Sequence, residues 1–138
     1  MSGQGPVFDH EKLKVYQTAI RFVEWKSKSV SFSGTSRDIY NQLERASTSI
    51  PLNIAEGNGK SSIKDRRRYF EISRGSALEC AASLDVLFAS GRLSRENTKD
   101  GKGLLLEIVK MLSRLVTNLS NQIKEEVAEY EIEAENGI

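Results

Sequence analysis

Five cations and one tyrosine fall within the stretch "KSSIKDRRRYF": Lys60, Lys64, Arg66, Arg67, Arg68 and Tyr69. Side chains of this kind neutralise phosphates, and a tyrosine can stack on an unpaired base. If a helix starts inside this run, its dipole adds positive potential and its free N–H groups can receive phosphate. The run is therefore a candidate contact for RNA or DNA. The alternative is a solvated helix end, or salt bridges to the acidic tail of a neighbouring subunit.

A second set of polar residues lies just upstream. Arg45, Ser49, Asn53 and Glu56 recur at i, i+4, i+8 and i+11, so on a helix they share one face. A following antiparallel helix brings "RGSALEC" opposite them. There Gly75 and Ser76 are small enough for close approach, and Glu79 comes within reach of a long arginine. The spacing predicts a structural polar seam of Arg45, Ser49, Asn53, Glu56, Ser76 and Glu79, with Arg45 and Glu79 as its ion pair, since partly buried charges need partners. Pro51 stands inside the same apolar periodicity. A proline there removes a hydrogen bond, costs ~3 kcal/mol and bends the helix; the hydroxyls of Ser47, Thr48 and Ser49 can bond nearby carbonyls.

Other chemistries lack their parts. His10 is the only histidine, so a catalytic triad or a histidine-based metal site has no second member. Cys80 lies on an apolar helix face and reads as an inert buried thiol. "GNGKSS" lacks the full phosphate-loop spacing and a preceding strand. Glu56 and Glu79 lack the Glu-x-x-His pairs of di-iron bundles. No enzymatic activity, cofactor or metal is expected.

The elements that must position these residues are helices. With 138 residues, 38% hydrophobic and 28% charged, and only two prolines, the composition suits one helical domain spanning 1–138. A leader (1–8) precedes a first helix from about Asp9 to Ser29, with Leu13, Tyr16, Ile20 and Val23 as its inward stripe. Thr35 or Ser36 caps a second helix reaching about Glu56, where Gly57 supplies a left-handed cap. Ser62 caps a third, Ile63 to Ser90, closed by Gly91. Ser94 or Asn97 caps a fourth whose first turns "KDGKG" weakens; its stripe is Leu105, Ile108, Leu112, Leu115, Leu119 and Ile123. Beyond about Glu129 the helix is expected to fray into an acidic tail (130–138). The fold class is all-α: an antiparallel up-down-up-down four-helix bundle with a proline kink in helix 2.

Net charge is +1, but residues 121–138 carry Lys124 alone against Glu125, Glu126, Glu129, Glu131, Glu133 and Glu135. No apolar run approaches the ~20 residues that span a bilayer. The first residues lack a secretory pattern, and a single cysteine makes no internal disulfide, which together indicate the cytoplasm.

Val15 and Phe22 point away from the expected inward stripe of helix 1, with Trp25 further round, and Leu104 and Met111 flank the seam of helix 4. Exposed stripes of this kind mark an interface. Two different stripes suit a head-to-tail contact that closes into a ring. The alternative is that these side chains cover the edges of their own core.

The segments "LKVYQTAIRFV", "IYNQLERASTSIPLNIAEGNGKSSIKDRRRYFEISRGSALEC" and "SLDVLFASGRLS" resemble the four-helix-bundle proteins encoded by intervening sequences in bacterial 23S ribosomal RNA genes. The likeness covers Phe8 to Ser94, with helix 4 similar in pattern. Arg45, Ser49, Pro51, Asn53, Glu56, Gly57, Gly75, Ser76 and Glu79 match the family motif. The resemblance implies a bundle that assembles as a homopentamer and has no enzyme activity. The accessory proteins of diversity-generating retroelements are more distantly similar, and they imply nucleic-acid binding. Two functions from different classes follow: a nucleic-acid-associated oligomer, or a scaffold that presents its surface to a protein partner.

Overall fold

The computed structural model describes residues 7–33 and 36–137. These residues hold a 3-10 turn, Asp9–Lys12, followed by α1 (Lys14–Ser29), α2 (Arg37–Asn58), α3 (Ile63–Ala89) and α4 (Arg95–Glu135), with no strand among them. The expected leader (1–8) falls mostly outside the described residues, as does Thr35. Serines start the last three helices. Ser36, Ser62 and Ser94 each accept a hydrogen bond from the backbone N–H three residues on, which satisfies one of the free donors of the first turn.

Each helix packs against its neighbour in sequence, and α1 closes onto α4; α1 and α3, and α2 and α4, are not contacting pairs among the described residues. Partners run in opposite order along consecutive helices. Gly57 meets Phe70, the Ile50 carbonyl accepts from Ser73 Oγ at 2.8 Å, and Gln42 Nε2 donates to Glu79 at 3.1 Å. Along α3 and α4 the pairs are Arg67 with Ser120, Arg74 with Ser113, and Asp85 with Lys102. At the far end α3 stops at Gly91 (φ +74°), with Gly91 N–H bonded to the Phe88 carbonyl and Arg92 N–H to the Leu87 carbonyl. Only glycine takes that backbone conformation without strain.

The core draws on all four helices: Phe22 from α1, Leu43, Ile50 and Ile54 from α2, Phe70, Cys80 and Leu84 from α3, and Leu105, Ile108 and Leu112 from α4. Five expectations change. First, helix 1 is broken at Leu13, whose extended backbone separates the 3-10 turn from α1. Second, α1 buries Val15, Thr18, Ala19, Phe22 and Lys26, while Ile20 and Val23 are half-exposed. Val15 and Phe22 are thus core residues; Trp25, Leu104 and Met111 are partly buried against the same core. The exposed stripes inferred for an interface are absorbed by the bundle itself, because helix 1 carries two apolar stripes and turns the other one inward. Third, Gly57 has no positive φ; α2 continues past it to Asn58, and Gly57 is buried where an added Cβ would lie 2.9 Å from Tyr69 Cβ. Fourth, Gly75 is exposed and a Cβ there would meet nothing within 4 Å, so helix approach does not need it. Fifth, α4 stays helical through the acidic stretch to Glu135.

Candidate nucleic-acid interface

The α2–α3 turn brings the basic run together, and gives its members different tasks. Arg66 turns inward: Nη1 donates to the carbonyls of Asn58 (2.8 Å) and Lys60 (3.3 Å), tying the turn to the end of α2. Arg67 crosses to α4, where Nη1 donates to Ser120 Oγ at 3.5 Å. Lys60 pairs with Glu56 at 3.5 Å. Lys60 and Arg68 also approach the Tyr69 ring, at 5.3 Å and 4.6 Å from its centroid. A base stacking on that ring would compete with these cations for its faces. Lys64 and Arg68 are exposed. The solvent-facing charge of the turn is therefore Lys60, Lys64 and Arg68, with Glu56 and Asp65 as the nearby acids.

The polar seam exists, with different members. Asn53 Nδ2 donates to the Ser49 carbonyl (2.8 Å) and to Ser49 Oγ (2.9 Å), and Ser76 Oγ bonds Ser49 Oγ at 2.8 Å. Buried Ser73 completes it through the Ile50 carbonyl. That carbonyl lies one residue before Pro51, the region of α2 where the regular hydrogen-bond ladder loses a donor. Arg45 is exposed and forms no ion pair with Glu79, which instead accepts from Gln42; Glu56 turns to Lys60. The buried charge lies elsewhere. Lys26 on α1 is 6% exposed at its side chain and pairs with Glu44 on α2.

Sequence reasoning missed Lys26, Glu44, Ser73 and the Arg74–Ser113 contact at 3.4 Å. Lys26 was legible in principle, since it falls at i+4 from Phe22 and i+7 from Ala19. Cys80 is fully buried, and burial, with Glu79 nearby, pushes its thiol up to about 12 although Lys26 pulls the other way. His10 sits beside the Phe8 and Tyr16 rings. Between α3 and α4 an open groove of about 420 Å³ is lined by Leu78, Ala81, Leu105, Leu106 and Val109, with Lys99 and Lys102 at its rim. No helix among the described residues is long and apolar enough to cross a membrane.

An all-α chain of four helices, with a basic turn between the second and third and a serine-lined seam beneath it, is the class defined here. The chain belongs to the 23S rRNA-intervening sequence protein family, whose profile matches residues 11–114. The match carries the likeness past Ser94 into α4. The fold is similar to that of a protein of unknown function from the S23 ribosomal protein family of Bacteroides thetaiotaomicron. That crystal structure is 24% identical, with a TM-score of 0.63 over 75% of this chain and 94% of that one. At such identity the likeness speaks for the fold alone. No curated protein matches the chain.

Proposed function

We propose that this is a non-enzymatic, oligomeric cytoplasmic protein, an up-down-up-down bundle bent at Pro51, that contacts RNA phosphates through Lys60, Lys64 and Arg68. The observation that carries the reading is the grouping of these three solvent-facing cations around one turn, held in place by Arg66. The family's association with intervening sequences of 23S rRNA favours RNA over DNA. The Cys80 thiol, fully buried and held protonated, is withheld from nucleophilic chemistry. One patch of three charges binds weakly, and assembly into a ring, five-membered by family resemblance, repeats it and raises avidity.

The test is binding of labelled single-stranded RNA across a salt series. Three phosphate contacts give a log–log slope of about −2 for each subunit engaged, proportionally steeper as a ring engages more of them. Lys64→Gln with Arg68→Gln weakens binding and flattens that slope. An affinity indifferent to both salt and these substitutions rejects the reading. The second reading, a protein-interaction scaffold, is favoured by the apolar groove between α3 and α4; undetectable RNA binding with intact assembly selects it.

A further inference from the structure

The last turns of α4 run beyond the bundle. Arg67 on the second turn of α3 meets Ser120, and from Lys124 to Gly137 every side chain is exposed. Yet the periodicity of the core face continues. Leu112, Val116 and Leu119 are followed at the same spacing by Ile123, Val127 and Tyr130, with Val127 50% and Tyr130 72% exposed. Glu126 and Glu133 flank this stripe on one side and Glu131 on the other. This projecting helix is thus an amphipathic ligand with acidic edges, and it lies beyond the residues matched by the family.

A receptor for such a helix is on the same molecule. The α3–α4 groove presents Leu78 and Leu106, 54% and 55% exposed, between half-buried Ala81 and Val109. Its charged rim is mainly basic. Lys99 makes no ion pair among the described residues, Lys102 is held by Asp85 at 2.7 Å, and Arg74 crosses to Ser113 one turn further on. A chain cannot fill its own groove: Tyr130 lies about 36 Å along a continuous helix from Leu106.

We infer that the projecting end of α4 (residues 123–134) docks into the α3–α4 groove of a second copy of this chain. It uses the helix-in-groove mode, with Val127 and Tyr130 as anchors and the glutamates against Lys99 and Lys102. The inference rests on the assembly half of the proposed function and adds to it a contact particular to this chain, since residues 123–134 lie beyond the family match. Donor and receptor surfaces differ, so the contact is head-to-tail and each subunit has one of each.

The head-to-tail geometry has a distinctive test by light scattering at micromolar concentration. Leu106→Glu blocks the groove and Tyr130→Glu spoils the ligand; both positions are exposed, so circular dichroism is expected to report unchanged helicity. Each variant alone falls to the mass of a single chain. Mixed in equal amounts they form a dimer and nothing larger, because one intact groove meets one intact ligand. Leu78→Glu repeats the groove arm should Leu106→Glu misfold. An assembled wild type whose mass ignores these changes, or a mixture that stays monomeric, overturns this inference alone. A wild type that is itself a single chain overturns it together with the assembly half of the functional reading, and leaves the RNA contact to its own salt test.

Discussion

The indole of Trp25 lies directly against the backbone of Gly101: a Cβ added there would overlap the ring, 2.7 Å from Trp25 Cζ2 and Cζ3. The ring cannot easily give way, since it is stacked on Phe22 at 5.5 Å. Gly101→Ala is expected to lower stability by about 1–3 kcal/mol through overpacking. Gly103, two residues on, is exposed with open space where its Cβ would go. There the same substitution is expected to stabilise by about 0.5–1 kcal/mol, since alanine is the better helix former. Urea unfolding midpoints that move in the same direction for both variants would contradict this packing.

The Lys26–Glu44 pair leads to a second contrast. Glu44→Ala leaves the Lys26 ammonium largely buried without its carboxylate, with an expected loss of about 2–3 kcal/mol, below the full buried-pair value because Glu44 is 51% exposed. Lys26→Met removes the charge and keeps the volume, and is expected to be near neutral. Arg45→Ala, on the exposed side, is expected to change little. Thermal unfolding of the three variants checks the order.

Cys80 sets a limit at alkaline pH. Its folded thiol is raised from the ordinary 9.0 to about 12, first by burial and then by Glu79. A raised folded value means that the folded state holds its proton where the unfolded state has lost it. The thiol's contribution to stability is therefore complete below pH 9 and is lost as pH rises towards 12. Alkylation by iodoacetamide at pH 8 is expected to label the native protein very slowly and the urea-unfolded protein readily. Fast labelling of folded protein would contradict the burial.

The acidic end of α4 leaves the bundle beside the Arg67–Ser120 contact, at the same end as Lys60, Lys64 and Arg68. Its glutamates oppose RNA there. Glu125→Gln with Glu129→Gln, both on the face opposite the Val127–Tyr130 stripe, are expected to tighten RNA binding at low salt, with the gain fading once the screening length falls to ~3 Å at 1 M. Arg66→Gln is expected to behave differently, costing about 1–3 kcal/mol of stability because it leaves the Asn58 carbonyl without its donor. Fluorescence anisotropy and urea unfolding, run on the same variants, separate the two effects.

Helix number and the starts of α2, α3 and α4 were legible because each of these three starts has a local cause, whereas α1 begins at Lys14 with no side-chain cap. Ser36, Ser62 and Ser94 carry the capping oxygen, and Gly91 carries the positive φ. The phase of α1 was not legible. Leu13, Tyr16, Ile20 and Val23 form as good a stripe as Val15, Ala19 and Phe22, and the buried stripe is disguised by Thr18 and Lys26. Thr18 is reconciled by donating to the Lys14 carbonyl at 2.9 Å, and Lys26 by a carboxylate on another helix. Such tertiary partners leave no mark in local spacing. The ion pair was misplaced for a related reason: Glu44 and Arg45 are adjacent, and the ~100° between them decides which one faces α1. Among the basic residues, composition identified the cluster. Only the geometry distinguishes Arg66, which ties down the turn, from Lys64 and Arg68, which face solvent.

The cyclic order of helix contacts bears on how the chain reaches its fold. Neighbours in sequence are neighbours in space throughout α2, α3 and α4, so those hairpins close short loops at small entropic cost. Docking of α1 onto α4 instead joins segments from opposite ends of the sequence. Low contact order predicts rapid folding through a transition state built on α2, α3 and α4, with α1 adding late. Phe22, fully buried on α1, then acts as a latch on the escape route: its truncation would speed unfolding far more than it slows folding.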